Sequence, residues 1–292
     1  MKSLIGLAIA LTIAFAPALP ARAADRIAVV AAENFYGGVA REIGGERVAV
    51  VSILNNPDQD PHLVETTPTV VRQVASAQVV VLNGAGYDSW MEKLLAVSPK
   101  PDRAVIAAAD LMHQKAGGNP HLWYDPRTMP AVAGALAAAL TTADPAHKNE
   151  YAARLKTFLA SLAPLNDKIA AIRGKYAGTP VTATEPVFGD MAAALGLTMH
   201  NERFQLAVMN GTEPAARDFA QFEQSLKGRA VRVLFYNTQA RSNLVTHLVD
   251  LAHASHVGVV GVTETAPSGA TYLAWMLSEL DATAKALGEP TS

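Results

Sequence analysis

The sequence predicts an α/β protein of two lobes, each a parallel-type sheet flanked by helices, joined by one long backbone helix with a site in the cleft between the lobes. Three observations carry this reading. Short β-branched runs alternate with longer stretches of helical period. The strand runs are apolar throughout instead of alternating with polar residues, as strands covered on both faces are. One helical stretch near the middle is much longer than a crossover requires, and the alternation resumes after it.

Taken in order, a strand is expected at residues 27–31, a helix at 35–43 and a strand at 48–54, followed by the loop Asn55-Asn56-Pro57-Asp58-Gln59-Asp60-Pro61-His62. Helix 67–74, strand 79–83, helix 87–95, strand 104–107 and an Ala-rich helix at 127–141 complete an N-terminal lobe spanning 24–143. The connecting helix, 144–177, has Asp144 as N-cap, Pro145 at its first position and Gly178 just past its end. Within it Tyr151, Leu155, Phe158, Leu159, Leu162, Leu165, Ile169 and Ile172 recur at spacings of three and four. At about 1.5 Å per residue it runs roughly 45 Å, and Pro164 kinks it. The C-terminal lobe, 178–292, repeats the pattern with strand 181–184, helices 188–195 and 214–226, strand 231–236, helix 244–254, strand 257–262 and a final helix at 272–287.

Residues 1–23 have the layout of a secretory signal peptide: Met1-Lys2, an apolar run over 4–19, and Ala21-Arg22-Ala23 ahead of Ala24-Asp25. The run is interrupted by Pro17 and Pro20 and falls short of the ~20 apolar residues of a membrane-spanning helix. There is no cysteine, hence no thiol for a lipid anchor, no disulfide and no thiolate chemistry, and a free periplasmic protein without lipid anchoring is expected. Cleavage removes Lys2 and Arg22, two of 24 basic residues against 26 acidic ones, leaving a balance of −4 and no basic footprint for nucleic acid. With 50% apolar and 17% charged residues, the chain is a packed globule and not a disordered one.

Asp60-Pro61-His62 and Asn119-Pro120-His121 are the same local device. Proline fixes its own φ and pushes the residue before it out of the helical region, so each histidine sits in a rigid bend. A single histidine in such a turn reads as a solvated residue; the repetition changes that reading. Trp123 and Tyr124 follow closely enough to shield His121 from water. In the second half, Glu185 directly follows a predicted strand and precedes Pro186, while Glu264 follows the strand ending at Val262, with Pro267 close behind. Ligands of parallel sheets bind outside the carboxyl ends of the strands. Two imidazoles from one lobe and two carboxylates from the other therefore make a metal site in the cleft. Together they cancel a divalent charge, so the loaded site can be shielded from water without a large desolvation cost. Four protein ligands leave no open position for an activated water, which favours carrying the metal over catalysis with it. The second ring nitrogen of His121 needs an acceptor, for which Asp125 or a loop carbonyl is at hand.

Asp60-Pro61-His62 with Glu65, Asn119-Pro120-His121-Leu122-Trp123, the Thr184-Glu185 junction and Thr263-Glu264 followed by Thr271-Tyr272-Leu273 resemble the metal-specific solute-binding proteins of bacterial zinc and manganese ABC importers, a group that includes the lipoprotein adhesins. The resemblance covers nearly the whole mature chain from Glu33-Asn34-Phe35 onward. It implies two lobes on one stiff helix, a divalent ion as transported ligand, delivery to a membrane permease, and His62, His121, Glu185 and Glu264 as ligands. Zinc members commonly have a third histidine where this chain has Glu185; manganese members have Glu there and Asp in the place of Glu264. The His-rich loop of many zinc importers is absent, with only His113 between Ala109 and His121. A set of two nitrogens and two oxygens leans towards Mn2+ or Fe2+, yet affinity tends to rise from Mn2+ to Zn2+ whatever the site, so zinc and manganese both stand, with Fe2+ behind them. A monomer is expected. The alternatives are an exported metalloenzyme in which one acid is a general base, and an adhesin stabilised by its metal.

Among other features, His247, with His253 and His256, reads as an exposed helix face. Gly84-Ala85-Gly86 lacks the third glycine of a dinucleotide loop. Trp275 and Met276 read as core, and Asn237-Thr238-Gln239 either supports the site or caps a helix.

Overall fold

The computed structural model describes residues 26–56, 64, 66–115, 117–240 and 242–288. The Asp60-Pro61-His62 motif, Glu65 and the segment read as a signal peptide lie outside them. No described helix is long and apolar enough to cross a membrane.

The first sheet is built from β1 (Ile27–Glu33), β2 (Val48–Leu54), β3 (Val79–Leu82) and β4 (Ala104–Ala107) in the order β2-β1-β3-β4, all parallel. Around it lie α1 (Asn34–Gly44), α2 (Pro68–Ser76), α3 (Ser89–Val97), the single turn α4 (Ala108–Leu111) and α5 (Thr128–Ala143). Two helices follow in tandem, α6 (Lys148–Ser161) and α7 (Ala163–Tyr176). The second sheet comprises β5 (Pro180–Ala183), β6 (Thr198–His200), β7 (Val233–Asn237) and β8 (Gly258–Val262) in the order β6-β5-β7-β8, also parallel. Its helices are α8 (Gly189–Ala194), α9 (Glu202–Met209), α10 (Ala216–Lys227), α11 (Asn243–Ala254) and α12 (Tyr272–Gly288). The second sheet thus repeats the strand order of the first. In each, the chain reverses direction across the sheet between its first and third strands, the place where parallel sheets open a crevice at their carboxyl ends.

Burial explains the continuous apolar strands. Val30, Ala32, Val80 and Leu82 face α2 and α3 in one core, and Leu234 faces Phe204, Phe222, Leu226 and Leu248 in another. The opposite faces, with Val29, Ala31, Val79 and Val81 from one sheet and Val181, Ala183, Val233 and Phe235 from the other, belong to a single third core that runs through both lobes. Side chains of α1, α5, α6, α7, α8 and α12 complete it. Both faces of the inner strands β1, β3, β5 and β7 are therefore covered, while Val51 of β2 and Val105 of β4 are exposed at the outer strands, and the lobes share their interior.

The connector departs from one kinked helix. A short 3-10 turn at Pro145–His147 precedes α6, and the break between α6 and α7 falls at Leu162. Pro164 has no N–H to give the Ala160 carbonyl, and its ring crowds that carbonyl, so the ladder stops one turn early and restarts with Pro164 in the first turn of α7. Asp144 does not cap the helix through its side chain; its carboxylate takes the Tyr151 hydroxyl and His147 Nδ1. Strand β6 and helix α9 were not anticipated. β6 is three residues long, and the chain leaves it through Asn201 in the left-handed region.

Candidate metal centre

His121 sits one residue before a 3-10 turn, Leu122–Tyr124, and is 1% exposed. Its Nδ1 lies 2.7 Å from Asn119 Oδ1. Asn119 Nδ2 donates to the Pro186 carbonyl of the other lobe at 3.0 Å, which turns the amide oxygen towards the ring. An oxygen can only accept there, so Nδ1 carries a proton and, in the neutral ring that binds a metal, Nε2 carries the lone pair. The acceptor is thus Asn119, two residues upstream, in place of Asp125; Asp125 is engaged with Arg127. Trp123 and Tyr124 are fully buried, with the Trp123 ring edge-on to the imidazole at 5.3 Å. Trp123 covers the imidazole as expected, while the Tyr124 ring packs on Trp123, Phe188 and Trp275.

Glu264 is 2% exposed. Its Oε1 accepts from Asn237 Nδ2 at 2.6 Å and its Oε2 from the Tyr87 hydroxyl at 3.0 Å, the latter reaching across from the first lobe. Asn237 Nδ2 is also 3.4 Å from Glu185 Oε2, so one amide at the end of β7 spaces the two acids. Gln239 holds the backbone around Glu264: its Oε1 takes the N–H groups of Glu264 and Thr265. Asn237-Thr238-Gln239 therefore supports the site, and α11 takes its cap from Ser242 instead.

Among the described residues His121 Nε2 has no hydrogen-bond partner and faces Glu264 Oε2 at 3.6 Å, both in the dry interior. In the neutral ring, a lone pair opposite a carboxylate oxygen is unfavourable unless a cation enters between them. Two donors ~2.1 Å from a tetrahedral ion are about 3.4 Å apart, close to this separation. Among the described residues no group of three or more His, Asp and Glu side chains forms a metal cage. The described part of the centre is His121 facing Glu264, with Glu185 joined through Asn237; His62 lies outside the described residues.

Beneath the centre lies a support that sequence reasoning missed. The carboxylate of Asp88 accepts the N–H groups of Asn83 and Gly84 at 2.6 and 2.8 Å. Asn83 Nδ2 then donates to the Pro120 carbonyl at 2.7 Å, and Tyr36 donates to Asn83 Oδ1, which fixes the His121 loop from below. Glu33, wholly buried, finds no donor for either carboxyl oxygen among the described residues; burial and then the Asp88 charge hold its pKa well above the usual carboxylate range. Burial also pushes Asp88 up, to about 6, against the lowering effect of its amide donors. Gly84-Ala85-Gly86 is the tight turn that carries Tyr87 and Asp88 to these positions. At Gly84, φ is +75° and a Cβ would stand 3.0 Å from Ala109. The available signal was an acid and an aromatic directly after a glycine turn at a strand end.

The comparisons follow this geometry. Residues 29–286 match the family described as ZnuA, zinc-uptake complex component A, periplasmic. Among curated relatives, the iron-binding protein YfeA of Yersinia pestis is 26% identical over 171 residues, 55% of each chain. The metal ABC transporter substrate-binding lipoprotein ScbA of Streptococcus cristatus is 26% identical over 155 residues, 49% of this chain and 50% of its own. The chain thus spans about half the length of these relatives. Among solved structures, the periplasmic zinc-binding protein TroA of Treponema pallidum superposes with a TM-score of 0.76 at 17% identity, covering 90% of this chain and all of its own, which shows the shared fold. The expectation of a protein free of any lipid anchor is corrected by the relatives described as lipoproteins; what stands is an exported protein. With the family match running over both sheets and through every described residue of the centre, the chain belongs to the periplasmic zinc-uptake component A family of metal-receptor proteins.

Proposed function

We propose that this protein is the receptor of an ABC metal importer, binding one divalent transition metal between its lobes and delivering it, as a monomer, to a membrane permease. The supporting observation is the buried lone pair of His121 Nε2 facing Glu264 Oε2 at 3.6 Å. His121, Glu185 and Glu264, joined by His62, are the proposed ligands, and their two carboxylates balance the ion's charge. Zinc and manganese are the proposed cargoes, with Fe2+ less favoured; the relatives are variously described as zinc-, manganese- and iron-binding. Hydrogen bonds across the cleft support a receptor with little lobe rocking. Asn34 exchanges two with Ala266, Tyr272 donates to the Trp123 carbonyl, and Asn119 and Tyr87 add one each.

The test is melting after chelation, then with Zn2+ or Mn2+ added back. Binding to the folded state alone raises stability by about 4 kcal/mol at a thousandfold excess over Kd. An unchanged melting temperature with both metals would sink the proposal.

A further inference from the structure

The final helix carries a buried acid that belongs to neither ligand set. Glu279 is 8% exposed, fifteen residues beyond Glu264 in the chain. Its Oε1 accepts from Trp275 Nε1 at 2.8 Å and from the Thr263 N–H at 3.2 Å. Among the described residues its Oε2 has one hydrogen-bond donor, the Tyr124 hydroxyl at 2.7 Å; the nearby Thr263 hydroxyl, which favours the ionised carboxylate, has no partner within hydrogen-bond distance. The Tyr124 hydroxyl also lies 2.7 Å from the Thr263 carbonyl oxygen. Tyr124 stands three residues after His121 in the first lobe, and Thr263 stands immediately before Glu264 in the second.

Counting protons decides the state of this cluster. A phenol has one proton, and here it meets two short oxygen neighbours. If Glu279 is ionised, Tyr124 can satisfy Oε2 or the Thr263 carbonyl but not both, and one buried acceptor faces an oxygen lone pair. If Glu279 is protonated at Oε2, that O–H donates to the Tyr124 oxygen, Tyr124 donates to the Thr263 carbonyl, and Oε1 remains the acceptor for its two N–H donors. The Glu279 carboxyl, the Tyr124 hydroxyl and the Thr263 carbonyl are then all paired, and only the Thr263 hydroxyl is left without a partner. The distribution of donors agrees: both N–H groups go to Oε1, and none goes to Oε2.

We infer that Glu279 is a positioning residue for the metal centre, a neutral carboxylic acid whose proton is passed through Tyr124 to the Thr263 carbonyl and so ties the His121 loop to the Glu264 loop. The inference rests on the proposed metal site. Burial raises the Glu279 pKa to about 7, against the lowering effect of Tyr124, Trp275 and Thr263. The titratable groups facing the cluster are Tyr124 from the first lobe, Tyr272 on its own helix and Glu264 beyond Tyr124. On the face of α12 packed against α7, Asp281 is paired with Lys168. Burial holds Tyr124 and Tyr272 above their ordinary pKa, so neither loses its proton in the range where Glu279 does.

The experiment compares wild type, Glu279→Gln, Glu279→Ala and Tyr124→Phe. Each is stripped with a chelator and titrated with Zn2+ against a competing chromophoric chelator, and each apo protein is melted between about pH 5 and about pH 8. Glutamine stands in for the neutral acid, with an acceptor oxygen in place of Oε1 and a donating NH2, which carries one N–H more than the acid, in place of the Oε2 hydroxyl. The expected result is zinc affinity within about twofold of wild type for Glu279→Gln, with a loss of about 10-fold or more for Glu279→Ala and Tyr124→Phe. Apo Glu279→Gln should also gain on wild type in melting temperature as pH rises through about 7, because only wild type then loses its proton. A Glu279→Gln variant as impaired as Glu279→Ala overturns the inference, since it shows that the ionised form is required. If wild type binds no metal the functional proposal fails, and the apo melting series still decides the proton placement by the sign of the Glu279→Gln effect.

Discussion

The two sheets have the same strand order and the same switch point, yet they deliver their chemistry differently. The first lobe offers an imidazole on a proline bend that lies fourteen residues past the end of β4, so His121 depends on hydrogen bonds from elsewhere: Asn119 to its ring, Asn83 to the Pro120 carbonyl. The second lobe offers carboxylates within two residues of the ends of β5 and β8, so the sheet places them directly and Asn237 at the end of β7 spaces them. A shared topology thus fixes where a site opens and leaves open how its donors are held. A loop-borne donor should be sensitive to its supports, and a strand-borne donor to its spacer.

The largest expected effect tests the donors themselves. His121→Ala should abolish zinc and manganese binding by competitive titration while the protein still melts cooperatively, and Glu264→Ala should approach it. Equal affinity to wild type in either variant would remove that side of the cleft from the site. Next comes the spacer: Asn237→Ala should cost about 10–100-fold in affinity, as supporting partners of metal ligands do. Asn119→Ala should fall in the lower part of the same range, because the His121 bend retains Asn83 beneath it. If Asn119→Ala proved the more damaging, the loop would depend on its cross-lobe anchor more than on its floor.

A pH series addresses the supports under both donors at once. Asp88 is raised from 3.8 to about 6 and Glu279 from 4.5 to about 7, both by burial. The fold therefore holds these protons to higher pH than the unfolded chain does. Their contribution is fully present below the unfolded values and is lost as pH rises through about 6 to 7. Urea unfolding of the apo protein should give a lower stability at about pH 7.5 than at about pH 5. The smallest effect in this set is Glu33→Ala, which should cost about 1–3 kcal/mol by leaving Asp88 without its buried partner. Glu33→Gln, which keeps the volume beside Asp88 and carries no charge, should recover most of that loss.

Much of the architecture was legible from local pattern. Strands β2 and β4 match their expected limits, 48–54 and 104–107, because runs of valine, isoleucine and alanine between turn residues admit few other conformations. β6 escaped because Thr198–His200 is too short to carry a pattern and owes its conformation to pairing with β5. The expected single connector failed at Pro164, where the apolar period continues across a residue that cannot continue the hydrogen-bond ladder. The proposed ligands His121, Glu185 and Glu264 could be picked out because proline bends and strand ends are marked in the chain. Glu33, Asp88 and Glu279 were not, since an acid on a strand or helix looks solvated until burial is known.

What the chain alone settled was the scaffold, since strand period, proline bends and composition act over a few residues; the donors it suggested are proposed ligands. What required the tertiary structure was the protonation and spacing of those donors. The His121 tautomer follows from Asn119 binding a carbonyl 67 residues away, and the Tyr124 hydroxyl meets Thr263 and Glu279 across separations of 139 and 155 residues. Hydrogen bonds at such separations depend on how the two lobes pack. That is decided by the common core and not by any local run of residues.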